Sequence, residues 1–396
     1  MTLTFDTGLF SGCGGFELGF SRAGFDNLAV AEIDLHACAV LDAHFDSPNL
    51  GDVRGIPSLP SHTDVVAAGF PCTDLSQAGR KAGLYGDHSS LALELVRMMI
   101  GGAHRPPVIV LENVTNMLSL GKGSAMEGLL QPFESLGYRW AYRKVNAQAW
   151  GLPQRRERVL FVLSNDDAVD PCRVLFADDA GKPTRPKMDR WHERAFGFSW
   201  TEGNAGAGYA FNGTGPLRVG SGFGIPTPPA IVLTDGRIVT PGIRDAERLQ
   251  GFDADWTEPA DHVGGPGRQG ARWRLAGRAI PPVMAEWVAK RLVEQGDVVC
   301  PDSKRTIVDG KSWPGAGYGQ AGRRIAVEAS TYPVCEERPD LQNWLDLAEA
   351  KDLSARATKG FLKRYTNGKL KKVPSFICAL SNHVHRMETG GYGATS

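Results

Sequence analysis

Short apolar runs alternate with segments of helical periodicity over residues 1–165. The apolar runs are Leu3 to Phe10, Leu28 to Ala31, Val65 to Ala68, Val108 to Leu111 and Val159 to Leu163. Each run has the length of a buried strand, and between the first two runs Phe16, Phe20 and Ala23 recur at helical spacing. The alternation predicts an α/β fold in which helices cover both faces of a mostly parallel sheet, with ligands at the carboxyl ends of the strands.

The pattern changes after residue 165. Residues 166–235 are rich in Gly, Pro, Asn and Asp, which predicts a smaller, loop-rich lobe, with disorder or a linker as the alternative. Helical signals return within 236–296. Residues 297–396 are a C-terminal extension with its own aromatic residues and a helical stretch from Leu353 to Leu362.

The composition is that of a folded protein whose overall charge favours no polyanionic partner. The chain has 396 residues, 42% of them apolar, which is enough for a substantial core and for two or three domains. Lysine plus arginine equals aspartate plus glutamate, at 44 each, so any surface for nucleic acid must be local. We expect no membrane association and no secretion, because the sequence has neither a membrane-spanning apolar run nor a leader at its start. Seven cysteines, an odd number without short paired spacings, fit neither a disulfide framework nor a zinc site and favour the reducing cytoplasm.

One basic stretch near the C-terminus is a candidate for such a local surface. Its cations are Lys351, Arg356, Lys359, Lys363, Arg364, Lys369, Lys371 and Lys372, and Phe361 and Tyr365 lie among them. Basic residues interleaved with aromatics are typical of nucleic-acid binding, but a solvated helix face gives the same pattern.

The most informative stretch is Phe70-Pro71-Cys72. It follows the apolar run that ends at Ala68, and it precedes a loop of small and polar residues, Thr73 to Gly79. Proline fixes the backbone before the cysteine, and mobile glycines after it suit a closing lid. A thiolate is the best carbon nucleophile among side chains near neutral pH, so Cys72 is the candidate nucleophile. The alternative for a lone cysteine is inert packing.

A glycine-rich turn follows the first predicted strand and opens a helix. Its sequence is Phe10-Ser11-Gly12-Cys13-Gly14-Gly15. Such a turn lets the backbone approach a ligand closely, and free amides at the helix start attract a negative group. Glu32 ends the second strand and suits ribose hydroxyls, while Asp52 suits an adenine amino group. The shared implication is a cofactor that contains a nucleoside, although strand-end acids are often simply solvated.

Charged residues at two further strand ends complete the candidate site. Glu112 follows the run Val108 to Leu111, where a carboxylate can act as an acid or accept a hydrogen bond from an exocyclic amine. Arg156 and Arg158 precede the next strand, and alternation would place both on one side, where guanidinium groups bind a phosphate or a ring carbonyl. A surface charge cluster is the alternative.

In their order and spacing, these segments resemble the DNA (cytosine-5) methyltransferases over most of residues 3 to 290. The resemblance includes the glycine-rich turn Phe10 to Gly15, which would be the cofactor turn, and also Glu32, Asp52 and the Gly69 to Cys72 nucleophile loop. It continues with the Glu112-Asn113-Val114 segment, the pattern Gln154-x-Arg156-x-Arg158, the segment Arg237 to Phe252 and the closing helix near Gly277 to Trp287.

The resemblance implies a Rossmann-like S-adenosylmethionine-dependent methyltransferase fold. Residues 1–165 would be the catalytic and cofactor-binding domain, 166–235 the target-recognition region, and 236–296 the end of that lobe with the return to the catalytic domain. The implied partners are S-adenosylmethionine, double-stranded DNA and a cognate restriction endonuclease, and the protein would act as a monomer.

The resemblance also implies the chemistry. Cys72 would attack carbon 6 of a cytosine flipped out of the duplex, so that carbon 5 takes the methyl group. Glu112 would hold ring nitrogen 3 and the exocyclic amine, and Arg158, with Arg156 beside it, the ring carbonyl. The residues implied at the cofactor are Phe10, Ser11, Gly12, Cys13, Gly14, Gly15, Glu32, Ile33, Asp52, Val53, Pro71, Leu91, Arg278, Ala279 and Ile280.

The sequence departs from the family pattern at four places. Gly8 stands where the family usually has an acid, Thr73 follows the nucleophile where glutamine is usual, and Gly242-Ile243 is inserted. Arg278 replaces an asparagine beside the cofactor, and we expect it to pair with the cofactor carboxylate, the alternative being a solvated arginine.

Two other functions remain open from the sequence. A more remote third is an unrelated oxidoreductase that uses the glycine-rich turn. The first is an RNA-directed cytosine-5 methyltransferase, whose members have Cys-Phe-Thr at the nucleophile loop, whereas this chain has Cys72-Thr73-Asp74. The second is a catalytically weak nucleic-acid-binding relative, which would lack Cys72 or Glu112.

Overall fold

The computed structural model describes residues 3–70, 91–102, 104–184, 193–199, 208–217, 229–265, 270–297, 305–320, 322–368 and 372–390. Its strands are β1 (Phe5–Leu9), β2 (Asp26–Ala31), β3 (Val65–Ala68), β4 (Val108–Val114), β5 (Arg139–Asn146), β6 (Glu157–Ser164), β7 (Phe196–Ser199), β8 (Gly208–Phe211), β9 (Ala230–Val232), β10 (Ile238–Thr240), β11 (Ala316–Gln320), β12 (Arg323–Ala326) and β13 (Lys351–Asp352).

The α-helices are α1 (Gly15–Arg22), α2 (Leu35–His44), α3 (Leu91–Gly101), α4 (Ser124–Ser135), α5 (Pro171–Phe176), α6 (Ile243–Gln250), α7 (Ala271–Arg278), α8 (Pro282–Val293), α9 (Leu341–Trp344), α10 (Ala355–Asn367) and α11 (Pro374–Thr389). Short 3-10 turns connect several of these elements.

In the described part of the chain, eight strands form the main sheet in the order β12-β11-β5-β6-β4-β3-β1-β2. The predicted α/β class is confirmed. The strands from β2 to β4 are parallel, whereas the pairs from β4 to β12 are antiparallel. The antiparallel part follows from the connections, because residues 147–156 between β5 and β6 are too few for a parallel crossover, which takes a dozen or more.

Helices cover both faces of the parallel half, as the continuous apolar runs predict. β3 is buried at every position, which is the pattern of a strand with helices on both sides. On one face, α3 and α4 pack against Val66, Ile109 and Leu111. On the other face, α1, α5 and α8 pack against Val65 and Val110. The loops that follow the parallel strands are therefore held at one edge of a rigid sheet.

A second, smaller sheet has the order β13-β10-β9-β7-β8 among the described residues, and its pairings are antiparallel. Phe196 and Phe198 of β7 pack against Phe361 of α10 and Phe376 of α11. Residues beyond 297 thus contribute β11 and β12 to the main sheet and β13, α10 and α11 to the smaller lobe. Sequence periodicity predicted the helix in α10 but not the pairing of these strands.

Three further findings concern the sequence expectations. No helix within the described ranges is long and apolar enough to cross a membrane. The same ranges contain no cluster of three or more His, Cys, Asp or Glu side chains placed to hold a metal ion. Cys172 is disulfide-bonded, which the odd cysteine count and the lack of short paired spacings did not indicate.

Candidate active site

The candidate site lies where the carboxyl ends of β1, β3 and β4 meet the amino end of β6. The parallel register aligns Leu9 with Ala68 and Ala68 with Leu111, so the segments that follow these residues emerge side by side. The antiparallel pairing of β4 and β6 sets Val114 opposite Arg158. Four segments that are distant in sequence are therefore brought to one edge.

Glu112 and Arg158 form an ion pair at this edge. Side chains two residues apart on a strand share a face, so Glu112 and Val114 point the same way, and Arg158 lies opposite Val114. Arg158 Nε lies 2.6 Å from Glu112 Oε1, and the two side chains are only 12% and 10% exposed. Burial lowers the pKa of the Arg158 guanidinium, and the Glu112 charge opposes that shift. The pair places an anion and a cation side by side where little solvent reaches them.

The segment ahead of Cys72 is anchored beside this pair. Phe70 is 5% exposed and packs in the main core. Asn113 Nδ2 donates to the Phe70 carbonyl at 3.1 Å, and Asn113 Oδ1 accepts from the Val114 amide at 2.8 Å. Gly69 lies beside the acid, since a Cβ there would be in van der Waals contact with Glu112 Oε2 at 3.5 Å. Pro71 and Cys72 lie outside the described residues, as does the loop Thr73 to Gly86.

Arg156 lies apart from Arg158 and faces a different partner. Its side chain is 0% exposed, and burial lowers the pKa of the guanidinium. It donates to the carbonyls of Gly277 at 3.2 Å, of Arg278 at 3.3 Å and of Ala279 at 2.7 Å. These carbonyls close the last turn of α7 and begin the segment that follows it. Arg156 therefore holds main chain, which differs from the expectation that both arginines share one side and bind a ring carbonyl or phosphate.

The glycine-rich turn has the strained backbone of a ligand loop. Phe10, directly after β1, has φ 57°, a value that non-glycine residues rarely adopt and that is typical of functional sites. Gly12 has φ 55°, and a Cβ there would meet open space. Gly14 is the N-cap of α1, with φ 86°. The turn thus leaves room above Gly12 beside a helix N-terminus, where anions bind well.

Glu32 binds the turn directly instead of pointing freely into solvent. One carboxylate oxygen, Oε2, accepts from the Gly12 amide at 2.8 Å. The other, Oε1, accepts from the amides of Ile33 and Asp34, both at 2.8 Å. The adjacent Ile33 side chain is 63% exposed. Glu32 thus shapes the turn and lies beside the exposed Ile33 side chain. A carboxylate suits the hydroxyls of a ribose, and an apolar side chain suits the face of a base.

Asp52 and its neighbours lie further along the same edge. Arg54 Nη2 donates to Asp52 Oδ2 at 2.6 Å. Hydrogen bonds from this side chain hold the pKa of the exposed Asp52 carboxyl at about 2, so it stays ionised. Val53 is buried in the main core, and Leu91 begins α3. The structure therefore keeps a solvent-accessible carboxylate at residue 52, already bound by an arginine.

The segment after α7 closes on the turn from the opposite side. A Cβ on Gly15 would overlap the Ile280 carbonyl, so only glycine permits this approach. Ala279 is half-buried, whereas the Arg278 side chain is exposed. No ion pair of that side chain is present in the described ranges. The fold therefore brings the glycine-rich turn close to residues 278–280, which the sequence predicted to share its site.

Trp256 and Cys13 form a contact that sequence reasoning did not predict. Trp256 Nε1 donates to the Cys13 carbonyl at 2.7 Å, and its ring stacks on His44 with centroids 3.6 Å apart. The Cys13 side chain is 1% exposed, and burial raises the pKa of its thiol. Cys13 is therefore an inert part of the turn and no rival to Cys72 as nucleophile.

Three residues of this edge escaped the sequence analysis, although each had a weak signal. Asn113 stands beside Glu112 in the recognised segment, Trp256 follows the matched Arg237 to Phe252 segment, and Glu17 is a lone acid in an otherwise apolar helix start. Their partners are far away in sequence, as for the Trp256 to Cys13 bond, which spans 243 positions.

Comparisons with known proteins agree with this arrangement. A family model described as C-5 cytosine-specific DNA methylase matches residues 6–190. Type II methyltransferase M2.BsuMI of Bacillus subtilis (strain 168) is 41% identical over 363 residues, covering 90% of this chain and 92% of the relative. Type II methyltransferase M.DsaV of Dactylococcopsis salina is 26% identical over 324 residues, covering 73% and 86%.

Two solved structures share the fold. The crystal structure of S. pombe Dnmt2 methyltransferase has a TM-score of 0.53 at 15% identity and covers 74% of this chain and 98% of that one. The Entamoeba histolytica methyltransferase EhMeth has a TM-score of 0.52 at 12% identity, covering 74% and 99%. At such low identity these likenesses concern the architecture alone.

Proposed function

The chain belongs to the C-5 cytosine-specific DNA methylases and is a DNA cytosine-5 methyltransferase of the restriction-modification type, and from this premise we propose how its residues act. Cys72 forms a transient covalent bond to a cytosine flipped out of duplex DNA. Glu112 and Arg158 bind the flipped ring. The observation that carries this proposal is the buried Glu112–Arg158 pair at 2.6 Å, beside the anchored backbone that leads to Cys72.

The ion pair suits the polar edge of a cytosine. Cytosine presents its exocyclic amine, which donates, and ring nitrogen 3 and the ring carbonyl, which accept. A carboxyl group at Glu112 can accept from the amine and, when protonated, donate to nitrogen 3, while Arg158 donates to the carbonyl. A low dielectric strengthens each of these contacts. Glu112 and Arg158 would therefore hold the ring and stabilise the charge that develops on it.

The covalent step follows from the chemistry of the ring. Attack of the Cys72 thiolate on carbon 6 moves the electrons of the 5,6 double bond toward carbon 5 and nitrogen 3, and Glu112 in its protonated form gives its proton to nitrogen 3. Carbon 5 then becomes nucleophilic enough to take a methyl group. Transfer of the carbon 5 proton to solvent, return of the nitrogen 3 proton to Glu112 and departure of the thiolate from carbon 6 restore the double bond. A stacked base shields these atoms, so the cytosine must leave the duplex first.

S-adenosylmethionine is the proposed methyl donor, and the turn after β1 fits it. The room above Gly12, the open apolar side chain of Ile33 and the acids Glu32 and Asp52 suit an adenosine. When bound, the cofactor supplies an electrophilic methyl group. Arg278 is exposed two residues before Ile280, which packs against the turn at Gly15, and we propose that it binds the cofactor carboxylate.

The basic face of α10 is a proposed contact for the DNA backbone. Phe361 and Tyr365 of this helix are buried in the smaller lobe, so they are not available to stack on bases. Arg356 and Lys363 are exposed on the outer side. Phosphate contacts of this kind add affinity without sequence information. Replacing both cations by alanine should weaken binding to all duplexes and reduce its salt dependence, whereas Lys290→Ala on α8 should not.

We also propose an oligomeric state, a cellular location and a partner for the enzyme. The enzyme would act as a monomer in the cytoplasm of a prokaryotic host, where its DNA lies, and a cognate restriction endonuclease would cut the unmodified sequence. The smaller lobe, from β7 to β10, would read the target sequence through base edges. The relatives named above are type II methyltransferases, which favours DNA over the RNA-directed alternative.

Bisulfite sequencing of DNA from a host that expresses the chain tests the proposed function. We expect protected cytosines at one short sequence motif, and no protection when the host expresses Cys72→Ser. Protection by Cys72→Ser, or conversion of every cytosine with the wild type, would contradict the proposal. Bisulfite treatment of host transfer RNA from the same cells tests the RNA-directed alternative.

A further inference from the structure

A carboxylate lies directly beneath the cofactor turn and has no role in the function proposed so far. Glu17, in the first turn of α1, is 0% exposed. Neither of its carboxylate oxygens has a hydrogen-bond partner of good geometry among the described residues, and neither does the nearby Ser11 hydroxyl. Burying a carboxylate without a partner is unfavourable, so the position needs a physical reason.

Gly8 is the second half of this arrangement. A Cβ at Gly8 would overlap Glu17 Oε1 and lie 2.8 Å from Ser11 Oγ. The Glu17 carboxyl group therefore fills the space that a side chain at residue 8 would occupy. This is the position where the resemblance leads us to expect an acid, and this chain has glycine. One acidic group is present at this point of the fold in either case, but here it comes from α1 instead of β1.

The charged and titratable groups around Glu17 do not neutralise it. Asp6 of β1 and Glu32 at the end of β2 are acids, and Cys13 of the turn is a buried thiol. Burial, with Glu32 adding to it, raises the pKa of Glu17 to about 7, and the Ser11 hydroxyl partly opposes the rise. A ligand that brings positive charge to the turn would remove the cost of ionising this group.

We propose that Glu17 takes over the acidic position of residue 8 and, from beneath the turn, stabilises the positive charge at the methionine end of the methyl donor. This inference rests on the proposed use of S-adenosylmethionine. The donor has two cationic groups, an α-ammonium and a sulfonium, and both lie on the methionine side of the ribose. Glu32 and Asp52 would then bind the nucleoside, while Glu17 would select ligands that carry the cationic side chain.

Isothermal titration calorimetry with two cofactor analogues tests the proposal. S-adenosylhomocysteine retains the ammonium group, whereas 5′-methylthioadenosine has the same nucleoside and no charged side chain. Glu17→Gln should weaken binding of the first by about tenfold or more, because the negative charge beneath the turn is lost. Binding of the second should change by less than about twofold. Wild-type affinity for S-adenosylhomocysteine should rise as pH increases through about 7, and Glu17→Gln should lose that dependence.

A reciprocal pair of variants separates a binding role from simple packing. Gly8→Asp alone should bind S-adenosylhomocysteine poorly, because its side chain overlaps Glu17 and adds a second negative charge. Gly8→Asp combined with Glu17→Ala should regain most of the affinity, since one acid again occupies the space. The double variant also carries the test if Glu17→Gln does not fold, which thermal melting of the free protein would reveal.

The outcomes distinguish this inference from the function on which it rests. Equal losses for both analogues in Glu17→Gln, or an affinity for S-adenosylhomocysteine equal to wild type, would overturn the role of Glu17 alone. A double variant that folds but binds no better than Gly8→Asp would do the same. Wild-type protein that binds neither analogue would overturn the proposed cofactor itself.

Discussion

Asn113 Nδ2 donates a hydrogen bond to the main-chain carbonyl of Phe70 at 3.1 Å. This bond ties the residue after Glu112 to the backbone two residues ahead of Cys72. The carboxylate that would hold the cytosine and the chain that carries the thiol are therefore positioned by one pair of adjacent residues on β4. The backbone at Phe70 is thus bonded to the strand that carries the acid.

Replacing Asn113 should displace the backbone that leads to Cys72 while Glu112 and Arg158 remain in the site. We expect Asn113→Ala to leave the Phe70 carbonyl unpaired, to cost about 1–3 kcal/mol in unfolding free energy and to lower kcat. Asn113→Asp is the matched variant, because it keeps an acceptor for the Val114 amide and loses only the donor. Single-turnover methylation and thermal melting measure both effects. Wild-type kcat in the aspartate variant would contradict this positioning role.

Glu112→Gln should abolish most catalysis while the chain still folds. The amide has the shape of the acid but cannot supply a proton to nitrogen 3, so we expect kcat to fall by about 10²- to 10⁴-fold. Arg158 would also lose its counter-charge, and the melting temperature should drop. Glu157→Gln is the control, since Glu157 is half-exposed and its Oε2 lies 3.5 Å from Lys144 Nζ at the surface. Equal activity of the two variants would exclude Glu112 from the chemistry.

Arg156 and Arg158 should respond differently to substitution. Arg156→Met would leave the Gly277 and Arg278 carbonyls without their buried donor and would remove one of the two donors to the Ala279 carbonyl, the other being Gln250 Nε2. We expect a loss of about 2–6 kcal/mol in stability. The segment 278–280 would loosen, so cofactor affinity should fall as well. Arg158→Met should reduce kcat and, because it leaves Glu112 buried without its counter-charge, also lower stability, but cofactor affinity should stay near wild type. Cofactor titration distinguishes the two, and a stable Arg156→Met variant with normal cofactor affinity would contradict the assignment.

Two buried acids should make the free protein less stable as pH rises. Burial raises the pKa of Asp6 to about 8 and that of Glu17 to about 7, both above their values in an unfolded chain. Their contribution to stability is complete below about pH 4 and is lost as pH rises through 7 and 8, because the folded state binds the extra protons. Within that window each group lowers the unfolding free energy by up to about 1.4 kcal/mol per pH unit.

Asp6→Asn isolates one of these contributions. Asn27 Nδ2 lies 2.7 Å from Asp6 Oδ2, a contact that the amide oxygen of asparagine can accept equally well. We expect the variant to show a flatter decline of stability between pH 5 and pH 8 in urea unfolding experiments, by about one proton. A decline as steep as that of the wild type would show that Asp6 is ionised throughout this range.

The sequence analysis predicted the parts of this protein that depend on local pattern. Each apolar run became a strand of the main sheet, and the acids that follow the parallel runs lie at one edge because parallel strands end together. Arg158 joins them from the start of β6, which is antiparallel to β4. The pairing of Glu112 with Arg158 follows from that rule and from the register of β4 and β6.

Other features depend on contacts between distant segments, which no local pattern reveals. Arg156 and Arg158 share a short motif, yet Arg156 bonds to carbonyls more than 120 positions away. The basic helix α10 looked like a free surface with aromatic side chains, but Phe361 and Tyr365 are needed to cover β7 and β9. Likewise, the buried position of Glu17 depends on the space that glycine leaves at residue 8.

The central claim is that Cys72 bonds covalently to carbon 6 of the target cytosine. A duplex oligonucleotide with 5-fluorocytosine in the methylated motif tests it most directly, because fluorine cannot leave as a proton does and the adduct is trapped. With S-adenosylmethionine present, we predict a protein–DNA complex that survives denaturing electrophoresis, with the attachment mapped to Cys72 by mass spectrometry and absent from Cys72→Ser. If methylation-competent protein gave no denaturation-resistant complex, or gave one with Cys72→Ser, the claim would be wrong.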